Sequence, residues 1–201
     1  MIQRKISGKF EQKLKIIAGQ GFRNAAQGFS QMIGRELSVN NPGVKTVSLK
    51  EIPDILGGPE NDAVGIYLRV EGEMKGQVML VIPYQQALEL ADMLLGEETG
   101  HTQKLGSMER SALAEVGNLT GSFFLNAIAE ITGVTSRPSP PAVMVDMVGS
   151  ILDVIIATMG EVGEEVLMFQ ATFMCGDREV RADFWVVPDA ITLKKLTDDG
   201  T

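Results

Sequence analysis

The chain has 201 residues, of which 44% are hydrophobic and 22% charged, a composition typical of globular proteins and not of disordered or fibrous ones. Its formal net charge of −8 argues against nucleic acid and anionic membrane surfaces as partners, because both attract clusters of Lys and Arg. The single Cys175 excludes an internal disulfide and a cysteine-rich metal site, and such cysteine usage is typical of a reducing cytoplasm.

No uncharged apolar run approaches the roughly 18 residues of a membrane span. Residues 1–15 are charged and lack the apolar segment of a signal peptide. We therefore expect a cytoplasmic protein without a membrane-spanning segment.

The first half of the chain predicts a long helix, a strand, a hairpin and a second helix. Apolar residues recur at helical spacing in the long helix, whereas the strands are rich in Val, Ile and Leu and are bounded by turn residues. In order, the predicted elements are a helix over 8–34, a turn over 40–43, a strand over 44–49, a hairpin of 63–70 with 77–82, and a helix over 83–95.

Residues 97–106 (EETGHTQKLG) are polar and contain glycine, which predicts a linker between two halves. His101, the only histidine, lies there without a nearby group of His or Cys, so an ordinary loop histidine is favoured over a metal ligand or general base. The second half then predicts a helix over 107–133, a stiff turn over 135–142, a strand over 143–147, a short buried helix over 151–159, a hairpin of 166–174 with 180–187, and a final helix over 188–196.

The helix over 107–133 has an apolar side and a narrow polar stripe. The apolar side suits burial against a sheet and comprises Leu113, Val116, Thr120, Phe123, Phe124, Ala127, Ile128 and Ile131. Ser111, Glu115, Asn118 and Ser122 follow one another at spacings of three or four residues, so their side chains stack along one face. The stripe has two interpretations: an ordinary solvated face, or a carboxylate and a carboxamide presented to a partner.

The two halves are similar at an offset of 99 residues, which indicates an internal repeat. Matching pairs include Leu14 with Leu113, Gly34 with Gly133, Pro42 with Pro141 and Val44 with Val143. We expect one α+β domain over 1–201, made of two repeats at about 8–96 and 107–197. Its pseudo-twofold arrangement would give a mixed or antiparallel sheet with the two long helices packed on one side.

The repeat makes the polar stripe more informative. At the same offset, Gln12, Ile16 and Gly19 occupy the positions of Ser111, Glu115 and Asn118. A residue that the fold itself requires should occur in both copies. The Glu and Asn occur in one copy only, so they are not needed simply to build a helix at this place.

The chain at this point resembles the CheC family of chemotaxis phosphatases, whose relatives include CheX and the flagellar switch protein FliY. That family's signature is Asp or Ser, three residues, Glu, two residues, Asn, twenty-two residues and Pro, and it is met by Ser111, Glu115, Asn118 and Pro141. The flanking SALAEVGN, LNAIAEITG and PSPPAVMVDM strengthen the match, and the resemblance covers nearly the whole chain. Many CheC proteins carry one such site per repeat, whereas here Ile16 and Gly19 replace the first pair, which implies a one-site member.

The resemblance implies a hydrolase that dephosphorylates the aspartyl phosphate of a CheY-like response regulator. In that reaction Asn118 would place a water in line with phosphorus, and Glu115 would pair with a lysine of the regulator. Ser111 would orient the helix face, and Pro141 would shape the neighbouring backbone. No cofactor or metal is expected in this chain, because Mg²⁺ would come with the regulator.

Two alternatives from another functional class stay open in the sequence. FliM looks like a relative with the same fold, no phosphatase motif and a scaffold role, so a flagellar-switch-like scaffold is one alternative. The other is a regulatory module that binds the deamidase CheD, a partner of family members. The intact Glu115–Asn118 pair favours the enzyme over both.

Overall fold

This computed structural model of the chain describes residues 8–159 and 165–188. Five α-helices and seven strands occur in these residues. Of the predicted final helix over 188–196, only Pro188 is described, as the last residue of a strand, and the rest lies outside the described residues. The helices are α1 (Gly8–Ile33), α2 (Ile52–Ile55), α3 (Tyr84–Leu95), α4 (Ser107–Thr132) and α5 (Val148–Met159). The strands are β1 (Ser38–Ser48), β2 (Asp62–Gly72), β3 (Gly76–Pro83), β4 (Ser136–Pro138), β5 (Ala142–Met147), β6 (Glu165–Cys175) and β7 (Arg178–Pro188).

The strands form one seven-stranded sheet in the order β1-β6-β7-β3-β2-β4, and β5 also pairs with β2. Every pairing in the described part of the chain is antiparallel, as the α+β expectation allowed. The first strand of each half pairs with the hairpin of the other half, as β1 does with β6 and β5 with β2. Two repeats that exchange their first strands would produce this symmetric strand order. The boundaries of the repeats stay a prediction.

The sheet is covered on both faces, and each face has its own apolar cluster. On one face, α1, α3 and α4 contribute residues such as Phe22, Leu90 and Phe124 to a large core with Ile66 and Leu68 of β2. On the other face, α2 and α5 pack over a smaller core that includes Trp185, the bulkiest fully buried side chain in the described part of the chain. The expectation that both long helices lie on one side of the sheet is therefore confirmed.

Local signals placed most of the elements correctly. Pro83 fixes the entry to α3, and the helix ends at Gly96, whose φ of 77° is the left-handed conformation that glycine adopts without strain. The predicted hairpin of 63–70 with 77–82 is present as β2 and β3, with Ile66 opposite Leu80.

Three local predictions were wrong, and one short element was not predicted. The NNPG run at 40–43 is a bulge inside a longer β1, with Asn41 at φ 50°, because pairing with β6 continues on both sides of it. The stiff turn over 135–142 contains β4, and an additional short helix, α2, follows β1. In α5, Ile151 and Leu152 are buried as expected, but Ile156 is 53% exposed.

Candidate functional site: the polar stripe of α4

Helix α4 is defined by clear signals at both ends. At its start the carboxylate of Glu109 accepts the backbone N–H of Gly106 at 2.9 Å, which satisfies one of the free donors of the first turn. At its end Gly133 adopts φ 72°, and its N–H donates to the carbonyl of Ala129 at 2.8 Å. The helix therefore starts and stops close to the predicted bounds of 107 and 133.

The apolar side of α4 is held firmly in the core. Leu113, Val116 and Phe124 are all buried, and the Phe124 ring meets Phe169 edge to face with centroids 4.5 Å apart. Thr120, Ala127 and Ile128 are buried as well, which confirms the predicted orientation of the helix for these residues. Ile131, also expected in the core, belongs to the side chains that the structure does not describe.

The polar stripe lies on the opposite side of α4. Ser111 and Glu115 are exposed, whereas Asn118 and Ser122 are half-buried. Because residues three or four apart on a helix have Cβ atoms about 5–6 Å from each other, Glu115 and Asn118 are neighbours on this surface. Between them they offer a carboxylate that accepts hydrogen bonds and a carboxamide that both donates and accepts.

Pro141 lies on a different element, the segment 136–141, which carries β4 and leads into β5 beside α4. Side-chain and backbone hydrogen bonds fasten this segment to β2. The backbone N–H of Arg69 donates to Ser139 Oγ at 3.0 Å, and the Ser139 N–H donates to the Arg69 carbonyl at 2.8 Å. Ser136 Oγ accepts the N–H of Met74, in the turn between β2 and β3, at 3.0 Å. The half-buried Pro141 is thus carried on a strand edge next to the helix that bears the other three motif residues.

The linker before α4 is ordered by a buried acid that the sequence analysis missed. Asp92 at the end of α3 is fully buried, and its carboxylate accepts the N–H groups of Gly100 and Thr102, each at 2.8 Å. Burial by itself raises the pKa of Asp92, but hydrogen bonds from Thr102 and Gly100 and the nearby His101 outweigh it, so the pKa lies below its usual value. An acid at the end of a helix, followed by a polar loop, was the available signal.

His101 lies on the surface of the linker between α3 and α4. His101 is exposed, and its Nδ1 lies 3.8 Å from a carboxylate oxygen of Glu97, an arrangement of two surface side chains on one loop. Within residues 8–159 and 165–188, no group of three His, Cys, Asp or Glu side chains is placed to hold a metal ion. In the same part of the chain, no helix is long and apolar enough to cross a membrane.

The equivalent face of α1 has a different chemistry. Gln12 is exposed, Ile16 is 52% exposed, and Gly19 is buried. The guanidinium of Arg23 lies over Gly19, with Nη1 3.3 Å from where a Cβ of that residue would be. This face therefore presents neither the carboxylate nor the carboxamide of α4.

Comparisons with known proteins agree with this fold. A family model described as the CheC-like family matches residues 108–145, the span that holds all four motif residues. Among curated proteins, the CheY-P phosphatase CheC of Bacillus subtilis (strain 168) is 28% identical over 187 residues, covering 91% of this chain and 90% of the relative.

Solved structures with the same architecture include FliY of Thermotoga maritima, with a TM-score of 0.73 at 18% identity and 96% of each chain covered. The middle domain of FliM from H. pylori gives a TM-score of 0.69 at 13% identity, with 96% of this chain and 99% of that chain covered. The CheX–CheY–BeF3–Mg²⁺ complex from Borrelia burgdorferi gives a TM-score of 0.50 at 20% identity, with coverage of 87% and 99%.

The fold is therefore the one shared by FliY, CheX and the FliM middle domain. With the family model on the motif and a CheC relative along nine-tenths of the sequence, the chain is similar to proteins of the CheC/CheX/FliY family.

Proposed function

We propose that this chain is a phosphatase that hydrolyses the aspartyl phosphate of a CheY-like response regulator, using the stripe of α4 as its active surface. The observation that carries the proposal is the Glu115–Asn118 pair on the solvent side of an otherwise well-packed helix. The name of the B. subtilis relative, CheY-P phosphatase, supports the reaction, and the CheX–CheY complex supports a regulator of the CheY class as partner.

The proposed chemistry requires little from the phosphatase itself. A water oxygen attacks phosphorus, the bond between phosphorus and the aspartate oxygen breaks, and the products are a free carboxylate and inorganic phosphate. In this scheme the carboxamide of Asn118 accepts a hydrogen bond from the water and holds it in line with the breaking bond. Correct placement of a reactant lowers the activation barrier by several kcal/mol, and a displacement of the reactant by about 1 Å can lower the rate a hundredfold.

Glu115 is assigned a docking role. It is exposed, and it lies one helical turn from Asn118, so an ion pair between its carboxylate and a lysine of the regulator would fix the carboxamide over the phosphate. Such a pair, desolvated on docking, is stronger than an exposed surface ion pair. Ser111 and Pro141 complete the surface without taking part in bond breaking, and Mg²⁺ belongs to the regulator.

A scaffold function is the competing proposal, and the FliM middle domain, with the same fold, is the reason to keep it. A module that binds CheD is a third possibility of the same non-catalytic class. The Glu115–Asn118 pair favours the phosphatase, because the pair occurs in α4 and not at the equivalent positions of α1, which are Ile16 and Gly19.

The experiment measures phosphate release from a phosphorylated CheY-like regulator in Mg²⁺, with and without the chain, and regulator binding in parallel. We expect the chain to accelerate release, and Glu115→Ala to weaken both binding and turnover. Glu115→Gln keeps the side-chain shape and removes the charge, so it should behave like Glu115→Ala if the ion pair is what matters. Binding without any acceleration by the wild type would favour the scaffold.

A further inference from the structure

Two glycines lie in the middle of α4, on the side that faces the sheet. Gly117 and Gly121 are both buried and one helical turn apart. Glycine is the poorest helix former apart from proline, so two of them in a helix interior need a reason. The reason here is the approach of α4 to β2: a Cβ on Gly117 would lie 2.4 Å from Ile66 Cγ2, and one on Gly121 would lie 3.4 Å from Leu68 Cδ2.

The close approach at Gly117 cannot be relieved by a small side-chain movement. Ile66 is fully buried, and its β-branched side chain is held between the neighbouring strands β3 and β5, opposite Leu80 and Val143. Carbon atoms in contact normally lie about 3.5–4.0 Å apart, so a Cβ at position 117 would displace α4 from β2 by about 1 Å. Gly117 therefore sets how closely the helix sits on the sheet.

The corresponding residues of α1 show that the fold does not demand these glycines. At the offset of 99 residues, Ala18 and Phe22 take the places of Gly117 and Gly121, and both are buried. A helix on this face of the sheet thus tolerates a methyl group and even a phenyl ring at these positions. The glycines occur only in the helix that carries Glu115 and Asn118, which links them to the stripe and not to the architecture.

We propose that Gly117 and Gly121 are positioning residues: by allowing α4 to lie close to β2, they place the polar stripe of the helix beside the segment 136–141. That segment is tied to β2 through Ser139 and to the turn after β2 through Ser136. A Cβ on Gly121 would lie 3.7 Å from Pro138 Cβ, so the glycines of α4 face both β2 and the segment. The regulator then meets Asn118 and Pro141 as one surface. This inference rests on the proposed phosphatase function and adds that the regulator contacts both elements.

The test is Gly117→Ala in the full chain, assayed for hydrolysis of the regulator's aspartyl phosphate. Because the substitution moves the whole helix relative to the segment, kcat should fall by about tenfold to a hundredfold. Adding Ile66→Ala removes the Cγ2 atom that the new methyl group meets, so the double variant should recover most of the lost kcat relative to Gly117→Ala. A purely structural role predicts loss of thermal stability with kcat retained.

The matched control is Gly65→Ala on β2. Its Cβ would lie 2.9 Å from Ile151 Cγ2 of α5, on the face of the sheet opposite to α4 and the stripe. It should lower stability and leave kcat unchanged. If Gly117→Ala does not fold, Gly121→Val takes its place, because its branched side chain would press on Leu68 and Pro138 and should also reduce kcat.

Two results would overturn the inference: a folded Gly117→Ala with wild-type kcat, or a double variant no more active than the single one. A structural measurement keeps the inference separate from the proposed function. In a crystal structure of Gly117→Ala, the Cα atoms of Asn118 and Pro141 should be farther apart than in the wild type by about 1 Å. An unchanged separation contradicts the positioning role, whereas a wild type without any hydrolytic activity contradicts only the phosphatase proposal.

Discussion

Helices α1 and α4 are each 26 residues long, lie on the same face of the sheet and pack against each other, yet they present different surfaces to solvent. On the inner side both helices are apolar, although Ala18 and Phe22 of α1 stand where α4 has Gly117 and Gly121. Both helices bury aromatic rings. Two glycines of α1 leave space for rings of α4: Gly21 lies against Phe124, and Gly28 lies against Phe123. On the outer side α4 shows Glu115 and Asn118, whereas α1 shows Ile16 and a glycine covered by Arg23.

The difference separates what the fold requires from what it does not. Both helices have an apolar inner side because both must cover the same sheet, and burial of apolar area is what stabilises the domain. The outer residues do not cover the sheet, so the need to bury apolar area does not explain the carboxylate and carboxamide on α4. We attribute it to the partner surface described above.

The largest expected effect tests the similarity of the inner sides. Phe22→Ala and Phe124→Ala should each lower the free energy of unfolding by about 3–5 kcal/mol, because each removes a buried ring and leaves a cavity. Equilibrium urea denaturation is the measurement. Ile16→Ala, which truncates an exposed side chain of α1, is the control and should change stability by less than about 0.5 kcal/mol. A loss below about 1 kcal/mol for either Phe would mean that the inner side is assigned wrongly.

A smaller effect is expected where the linker meets the helices. The carboxylate of Asp92 only accepts hydrogen bonds, whereas the carboxamide in Asp92→Asn also donates and would face the N–H groups of Gly100 and Thr102. The substitution should therefore lower the free energy of unfolding by about 1–3 kcal/mol. The folded pKa of Asp92 is lowered, so its contribution is present above the unfolded pKa of about 3.9 and is lost as pH falls through the folded value.

Unfolding of the wild type and of Asp92→Asn at a series of pH values from about 7 down to about 2 checks this. The stability difference between the two proteins should be largest near neutral pH and should shrink as the acid is protonated. A difference that does not change with pH would mean that the Asp92 charge has no part in ordering the linker.

The smallest effect is expected on the outer face of α1. Gln12→Ala and Ile16→Ala should leave both regulator binding and hydrolysis unchanged, because this face carries neither the carboxylate nor the carboxamide. Steady-state hydrolysis of the phosphorylated regulator, with folding checked by circular dichroism, is sufficient. A marked loss of turnover in folded Gln12→Ala would show that the two faces act together.

Much of this arrangement could be predicted from sequence, since it depends on local signals. Helical periodicity gave the two long helices, and Pro83 with Gly96 marked α3. The position of Glu115 and Asn118 on the outer face followed from the spacing of the buried residues around them.

The remaining features depend on contacts between distant parts of the chain. The NNPG run reads as a turn locally, but pairing with β6 carries β1 through it as a bulge. The segment 136–141 contains a strand only because β2 offers a free edge. Asp92 looks like an ordinary helix-surface acid until the linker folds over it. The close packing of Gly117 against Ile66, where an added Cβ would lie 2.4 Å from Ile66 Cγ2, joins residues from the two halves of the chain and leaves no pattern along the sequence.

The most direct test of the central claim compares two asparagines of α4. Asn118 lies on the proposed active surface, and Asn126 is an exposed residue on the same helix, about 12 Å farther along its axis. With a phosphorylated CheY-like regulator in Mg²⁺, Asn118→Ala should lower kcat by about a hundredfold and leave regulator binding nearly unchanged. Asn126→Ala should match the wild type, and neither should lower stability by more than about 0.5 kcal/mol. Full activity in Asn118→Ala, or equal losses in the two variants, would contradict the account.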